Sequence, residues 1–169
     1  PYKPSSPYSA AKASADHLVR AWSRTYKLPI FITNCSNNYG PFQNKEKLIP
    51  KVITNILDNI DIPLYGSGEQ VRDWVYVDDH IEGILQVHKN GTFGETYNIG
   101  GDNEIRNIDL IIKIIELINK IKKGSDKDLK NMKKLIVHVE DRQGHDKRYS
   151  INCEKIKSIG WKTKDLFEN

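Results

Sequence analysis

Ser5-Ser6-Pro7-Tyr8-Ser9-Ala10-Ala11-Lys12 decides the reading of this chain. Ser5 or Ser6 can cap a helix, Pro7 suits its first position, and Ala10, Ala11, Ala13 and Ala15 favour its continuation. A helix from about Pro7 to Tyr26 then sets Tyr8 and Lys12 on one face, one turn apart. A free Tyr titrates near ~10 and is a poor base at neutral pH. A nearby cation favours the phenolate. A Tyr tuned in this way can take a proton from a sugar or alcohol hydroxyl while hydride leaves the carbon. The spacing alone is also that of an ordinary surface pair, so the rest of the chain has to decide.

Outward from that helix, Leu28-Pro29 is a break and Ile30 to Cys35 reads as a buried strand. Ser36-Asn37-Asn38-Tyr39-Gly40-Pro41 follows as a polar loop at the strand's carboxyl end, where open α/β sheets bind ligands. Asn, Gly and Pro are also plain turn formers, so both readings stand there. Lys47-Leu48-Ile49-Pro50 opens a second amphipathic helix. Ile62-Pro63-Leu64-Tyr65 is a short strand and Gly66-Ser67-Gly68 a turn that lacks the third glycine of a nucleotide fingerprint.

Val71 to Val77 is the next strand. Its Arg72 either pairs locally with Asp73 or holds a phosphate through its planar fork. Asp78 and Asp79 can cap the helix after it, with His80 in the first turn as a structural or exposed residue. Gly94 to Gly101 is a strand ending in a diglycine turn. Asn107 and Asp109 can cap a long Ile/Leu helix to about Ile121, whose interleaved Lys113, Glu116, Asn119 and Lys120 make it a core-facing amphipathic helix and not a membrane-surface one. The lysine-rich stretch from Lys122 to Lys134 reads as a solvated loop or helix face. Leu135 to Val139 is a strand, and Asp141 to Tyr149 a charged loop that suits a diphosphate or forms a salt-bridged surface. Ile151 to Ile159 gives one more helix, closed by Gly160-Trp161.

Lys and Arg number 26 against 22 Asp and Glu, a net charge of +4. That modest balance, with no nucleic-acid motif beside it, argues against a nucleic-acid partner. No apolar run is long enough to cross a membrane, and no secretory leader pattern is present, so no membrane partner is expected. Cys35 and Cys153 stand far apart with no CxxC and no ligand spacing, which fits reduced thiols in a cytoplasmic protein. No second His lies at metal-ligand spacing, so no metal site is expected. The chain opens without Met and ends at Phe167-Glu168-Asn169 as a pattern resumes, so a piece of a longer protein is expected.

Several motifs now stand in one order: Ser6-Pro7-Tyr8-Ser9-Ala10-Ala11-Lys12, Asn34-Cys35-Ser36-Asn37-Asn38-Tyr39-Gly40-Pro41, Lys47-Leu48-Ile49-Pro50, Arg72-Asp73-Trp74-Val75-Tyr76-Val77-Asp78-Asp79-His80, Tyr97-Asn98-Ile99-Gly100-Gly101 and Asp141-Arg142-Gln143-Gly144-His145-Asp146. Over essentially its whole length the chain resembles the C-terminal half of the dTDP-glucose 4,6-dehydratases, extended short-chain dehydrogenases/reductases. The Tyr-x-x-x-Lys pair is shared by the whole superfamily, and the Asn34 to Pro41 and Arg72 to Trp74 stretches are far more specific.

The resemblance implies an α/β fold: the C-terminal part of a Rossmann-type parallel sheet plus a smaller mixed α/β substrate-binding domain. Residues 1–40 would end the NAD-binding domain. Residues 41–169 would mainly bind sugar nucleotide, with about 71–90 returning to the Rossmann part. Such enzymes oxidise C4 of dTDP-glucose with bound NAD, eliminate water across C5 and C6, and return the hydride to C6.

The same resemblance assigns roles. Tyr8 would be the catalytic base, and Lys12 would lower its pKa and hold the nicotinamide ribose. Asn38 would contact the nicotinamide end of NAD and Asn37 the substrate diphosphate. Lys47, Leu48, Pro63, Leu64 and Tyr65 would line the nucleotide pocket. Arg72 would bind diphosphate, with Asn107 and the loop of Asp141, Arg142, Gln143, Gly144 and His145 closing over the nucleotide. The first helix would pack on its copy in a homodimer, with Trp22 at the interface. Gln143 stands where such enzymes commonly carry Pro. Their Gly-rich loop and their Thr and Asp-Glu dehydration residues would lie before Pro1, so this span alone is expected to bind NAD poorly and turn nothing over. Another sugar-nucleotide epimerase or decarboxylase of the superfamily, and a non-catalytic sugar-nucleotide-binding module, are the alternatives.

Overall fold

The computed structural model describes residues 3–164. In chain order the elements are α1 (Pro7–Tyr26), β1 (Ile32–Cys35), β2 (Asn37–Tyr39), α2 (Leu48–Asp58), β3 (Ile62–Tyr65), β4 (Val71–Tyr76), α3 (Val77–Asn90), β5 (Thr96–Ile99), β6 (Glu104–Arg106), α4 (Asn107–Ile121), α5 (Asp126–Lys133), β7 (Ile136–Val139), β8 (Arg148–Tyr149) and α6 (Glu154–Ser158). The chain forms two units. Among the described residues, one holds 3–38, 73–103 and 149–164, and the other holds 39–72 and 104–148. The first unit includes β5 and α6. The four strands β2, β4, β6 and β8 each lie where the chain passes from one unit to the other.

In the first unit, β1 and β5 pair in parallel, from Ile32 opposite Thr96 to Cys35 opposite Ile99. Parallel neighbours need a crossover, and α3 lies between them in the chain. Val87 of α3 joins Tyr97, Ile99, Cys153, Ile156 and Trp161 in one buried cluster. Gly83 lets α3 approach: a Cβ there would meet Ile99 Cγ2 at 2.9 Å. The start of α1 is as expected, with Ser6 Oγ accepting the Ser9 N–H at 3.1 Å and Pro7 in the first turn. Arg20 ties α1 to β5 by donating to Thr96 Oγ1 at 2.6 Å. None of α1's residues is buried, and Leu18, Trp22 and Tyr26 are exposed.

In the second unit, β3 and β7 pair in parallel, from Ile62 opposite Ile136 to Tyr65 opposite Val139. The helix α2 packs on α4, burying Val52 and Ile56 with Leu110, Ile111, Ile114 and Ile115. Ile111, Ile114 and Ile115 of α4 are thus core while Ile121 is exposed, and no helix among the described residues is long and apolar enough to cross a membrane.

Several local expectations differ. Asn37–Tyr39 is a strand and not a loop. Asp78 and Asp79 sit in the first turn of α3 without capping it: Tyr76 is the cap residue and offers no side-chain bond. Asp79 is buried and accepts from Thr163 Oγ1 at 2.7 Å and from the Lys164 N–H at 3.0 Å. Neither Asn107 nor Asp109 caps α4, since Arg106 holds that place and ion-pairs with Asp109 at 2.6 Å. Within the lysine-rich stretch, Ser125 and Asp128 form a reciprocal capping box that starts α5. The last helix is shorter than Ile151 to Ile159, at Glu154–Ser158. The pattern noted at Phe167-Glu168-Asn169 lies outside the described residues.

Candidate active site

The first unit places Tyr8 and Lys12 one turn apart at the start of α1. Both are exposed, Tyr8 at 72%. The cap at Ser6 and the ring of Pro7 fix this first turn, so the two side chains leave a rigid backbone.

Asn37 and Asn38 are neighbours on β2, and strand alternation sends their side chains to opposite faces. They can therefore serve two different ligand groups. Asn38 Nδ2 donates to Ser36 O at 3.2 Å and approaches Cys35 Sγ at 3.4 Å. That fixes the amide's orientation and leaves Oδ1 to His80 Nδ1, 2.8 Å away. His80 therefore carries its proton on Nδ1 and donates it. Read from the sequence, His80 was only structural or exposed; it is the residue that aims Asn38. The available signal was its place in the first turn of a helix directly after a strand.

Burial lowers the His80 pKa from its ordinary 6.5. A folded value below the unfolded one adds stability that is present above pH 6.5 and is lost as pH falls through the folded value. The thermal midpoint should therefore decline below pH 6.5, and His80→Asn, which cannot titrate, should flatten that part of the profile relative to the parent. Scanning calorimetry of both proteins between pH 5 and 8 checks it; parallel profiles would refute it.

Asp73 is buried, and its carboxylate accepts the Gly101 N–H at 2.9 Å and the Asn103 N–H at 2.6 Å. Cys153 is no nucleophile. Burial first, then the Asp102 carboxylate, pushes its thiol up to about 11, so it packs as a small apolar side chain. Among the described residues no group of three His, Cys, Asp or Glu could hold a metal ion.

The second unit brings together much of what the sequence assigned to a nucleotide. Asp141 Oδ1 accepts from His145 Nδ1 at 2.6 Å and from the Arg142 N–H at 2.8 Å. These bonds, the His145 one foremost, hold the Asp141 carboxyl below its ordinary value. His145 Nε2 lies 3.1 Å from Arg142 Nη2, so the neutral imidazole donates to Asp141 and accepts from Arg142. The Arg142 guanidinium sits 5.0 Å above the Tyr65 ring. Gly144 takes a left-handed φ of 67°, which turns the loop back toward His145. Gln143 is exposed beside it.

Arg72 is buried at 9% exposure and donates to Val71 O at 2.7 Å and Asp146 O at 2.8 Å, anchoring the far end of the same loop. On β3 the alternation leaves Pro63 and Tyr65 accessible and sends Leu64 into the core at 2% exposure. That narrows Leu64's part in any pocket to its backbone. Lys47 is exposed at the cap of α2, with Leu48 half-buried after it. Asn107 opens α4, and its N–H donates to Gln70 O at 3.0 Å.

The family model for GDP-mannose 4,6 dehydratase matches residues 1–169. The chain is 53% identical over 169 residues to dTDP-glucose 4,6-dehydratase 1 of Escherichia coli strain K12, covering 99% of this chain and 46% of that protein. DesIV of Streptomyces venezuelae, a dTDP-glucose 4,6-dehydratase solved with NAD bound, superposes with a TM-score of 0.89 at 42% identity, covering 99% of this chain and 49% of that one. The dTDP-glucose 4,6-dehydratase of Bacillus anthracis, in complex with NAD, gives 0.86 at 47% identity and covers 99% and 50%. The chain thus spans about half the length of the relatives it matches. Its α/β fold with parallel strand pairs is that of these Rossmann-type enzymes. With the family model matched from Pro1 to Asn169, the chain belongs to the GDP-mannose 4,6 dehydratase family.

Proposed function

We propose that this chain supplies the catalytic Tyr-Lys pair and the nucleotide-binding loops of an NAD-dependent dTDP-glucose 4,6-dehydratase. The observation that carries this reading is the capped first turn of α1. It presents Tyr8 and Lys12 side by side, in a chain 53% identical to a dTDP-glucose 4,6-dehydratase over 169 residues.

The residues of the first unit fit the nicotinamide end of NAD. An exposed phenol and ammonium stand one turn apart, and Asn38 is held by His80. Held there by Tyr8, Lys12 and Asn38, NAD would supply a reversible hydride acceptor. Tyr8 takes the proton of the C4 hydroxyl. Lys12 holds the ribose hydroxyls, and Asn38 orients the carboxamide end.

The second unit holds the dTDP moiety. The Arg142 guanidinium and Arg72 offer planar donors for phosphate oxygens. Tyr65 provides a ring for the base, Pro63 and the Leu64 backbone flank it, and Lys47, Leu48 and Asn107 complete the pocket with Gln143 and Gly144 of the loop. A second copy of the chain covers Leu18, Trp22 and Tyr26 on α1, and the free thiols Cys35 and Cys153 suit the cytoplasm.

The test uses the complete protein that carries this chain, incubated with dTDP-glucose and NAD. A 4-keto-6-deoxy product, read by alkali-induced absorbance, is the expected result. Turnover of a UDP-sugar by epimerisation or decarboxylation without that product would overturn the reading. So would tight sugar-nucleotide binding without turnover.

A further inference from the structure

We infer that Gln70 is a positioning residue for the nucleotide-binding half of the site, an inference that rests on the reading above. Gln70 belongs to the second unit and is 7% exposed. Its Nε2 donates to Asp141 Oδ2 at 2.9 Å and lies 3.4 Å from Tyr65 O. Its backbone carbonyl accepts the Asn107 N–H at 3.0 Å. One side chain and its own peptide thus reach Tyr65, Asn107 and Asp141, three residues proposed to bind the nucleotide.

The amide orientation is not arbitrary. Turned over, Oε1 would face the Asp141 carboxylate and the Tyr65 carbonyl, two acceptors. In the orientation adopted, Oε1 is buried and accepts no hydrogen bond among the described residues. A buried acceptor without a donor is a cost to the folded state.

The consequence runs through Asp141. That carboxylate uses Oδ1 for His145 and the Arg142 N–H, and Oδ2 for Gln70. Gln70 therefore sets the plane of the carboxylate, the carboxylate sets the His145 ring, and His145 holds the Arg142 guanidinium. Gly66 closes the other side: a Cβ there would meet Asp141 Oδ2 at 3.0 Å. Gln70 thus holds the Asp141 end of the loop from outside it, as Arg72 holds the Asp146 end.

Gln70→Met keeps the length and removes the donor. Gln70→Glu puts a second carboxylate against Asp141. In the complete protein, Gln70→Met should raise KM for dTDP-glucose about tenfold with kcat within about threefold, the effect of losing one hydrogen bond to a charged group. Gln70→Glu should raise it further. Hydrogen exchange, followed without ligand, should accelerate in peptides covering 141–146 and stay unchanged in α4. Unchanged KM with unchanged exchange at 141–146 overturns the inference. So does acceleration spread through α4 with a lower melting point, which marks a purely structural role. If the parent protein makes no product from dTDP-glucose, the functional reading falls alone, and exchange at 141–146 still decides whether Gln70 holds the loop.

Discussion

Tyr8→Phe in the complete protein should cut turnover of dTDP-glucose by about 10²- to 10⁴-fold, the range for loss of a positioned general base. The KM for dTDP-glucose should change little. The substitution keeps the ring and removes one oxygen. That oxygen belongs to a side chain 72% exposed on a helix with no buried residue, so folding stability should be unaffected. The cap at Ser6 and the helix start at Pro7 are untouched. A loss of turnover therefore reports chemistry and not structure. Product formation, dTDP binding by calorimetry and the melting point, measured on parent and variant, check the three parts together. Turnover within about tenfold of the parent would remove Tyr8 from the role of base. A matched loss of dTDP binding would make it a binding residue.

Much of this site was legible because its signals are local. Capping and proline placement at Ser6 and Pro7 depend on residues within one turn, and the structure starts α1 there. The alternation Ile62-Pro63-Leu64-Tyr65 is likewise local, although only the register shows that Leu64 is the inward member. The capping box at Ser125 and Asp128 was also in the sequence, hidden under a run of lysines that reads as solvated chain. What was not legible spans long separations. His80 meets Asn38 across 42 residues, and Gln70 meets Asp141 across 71. A Gln before a strand and a His in a first helical turn carry no pattern that names their partners. Asn37–Tyr39 reads as turn chemistry and is a strand all the same, so tertiary pairing overrides propensity there.

The diglycine at Gly100-Gly101 is the position where one added methyl group should do most damage. Gly101→Ala is expected to destabilise the fold by about 3–4 kcal/mol. A Cβ on Gly101 would stand 1.8 Å from Trp74 O and 2.7 Å from Trp74 C, both backbone atoms that no rotamer change can move. The chain would have to shift, and the shift would act on bonds that meet there. The Gly101 and Asn103 N–H groups donate to the two oxygens of buried Asp73, and the Trp74 N–H donates to Asn103 O at 3.3 Å. A buried donor that loses its acceptor carries its full desolvation cost. For a chain of this length each kcal/mol is worth about 2–4 °C, so the melting midpoint should fall by roughly 6–16 °C.

Gly94→Ala is the control. Gly94 has a φ of 83° with nothing within 4 Å of an added Cβ, so it tests backbone strain without a clash and should cost only about 1 kcal/mol. Asp73→Asn tests the other partner. It keeps an acceptor for one N–H and turns an NH₂ toward the second, so about 2 kcal/mol should be lost. Because both substitutions break the same clasp, Gly101→Ala combined with Asp73→Asn should cost less than the sum. Denaturant melts of the three single variants and the double variant decide it. If Gly101→Ala matched Gly94→Ala, the clasp would be no more than a turn; additive costs would mean that Asp73 and Gly101 act separately.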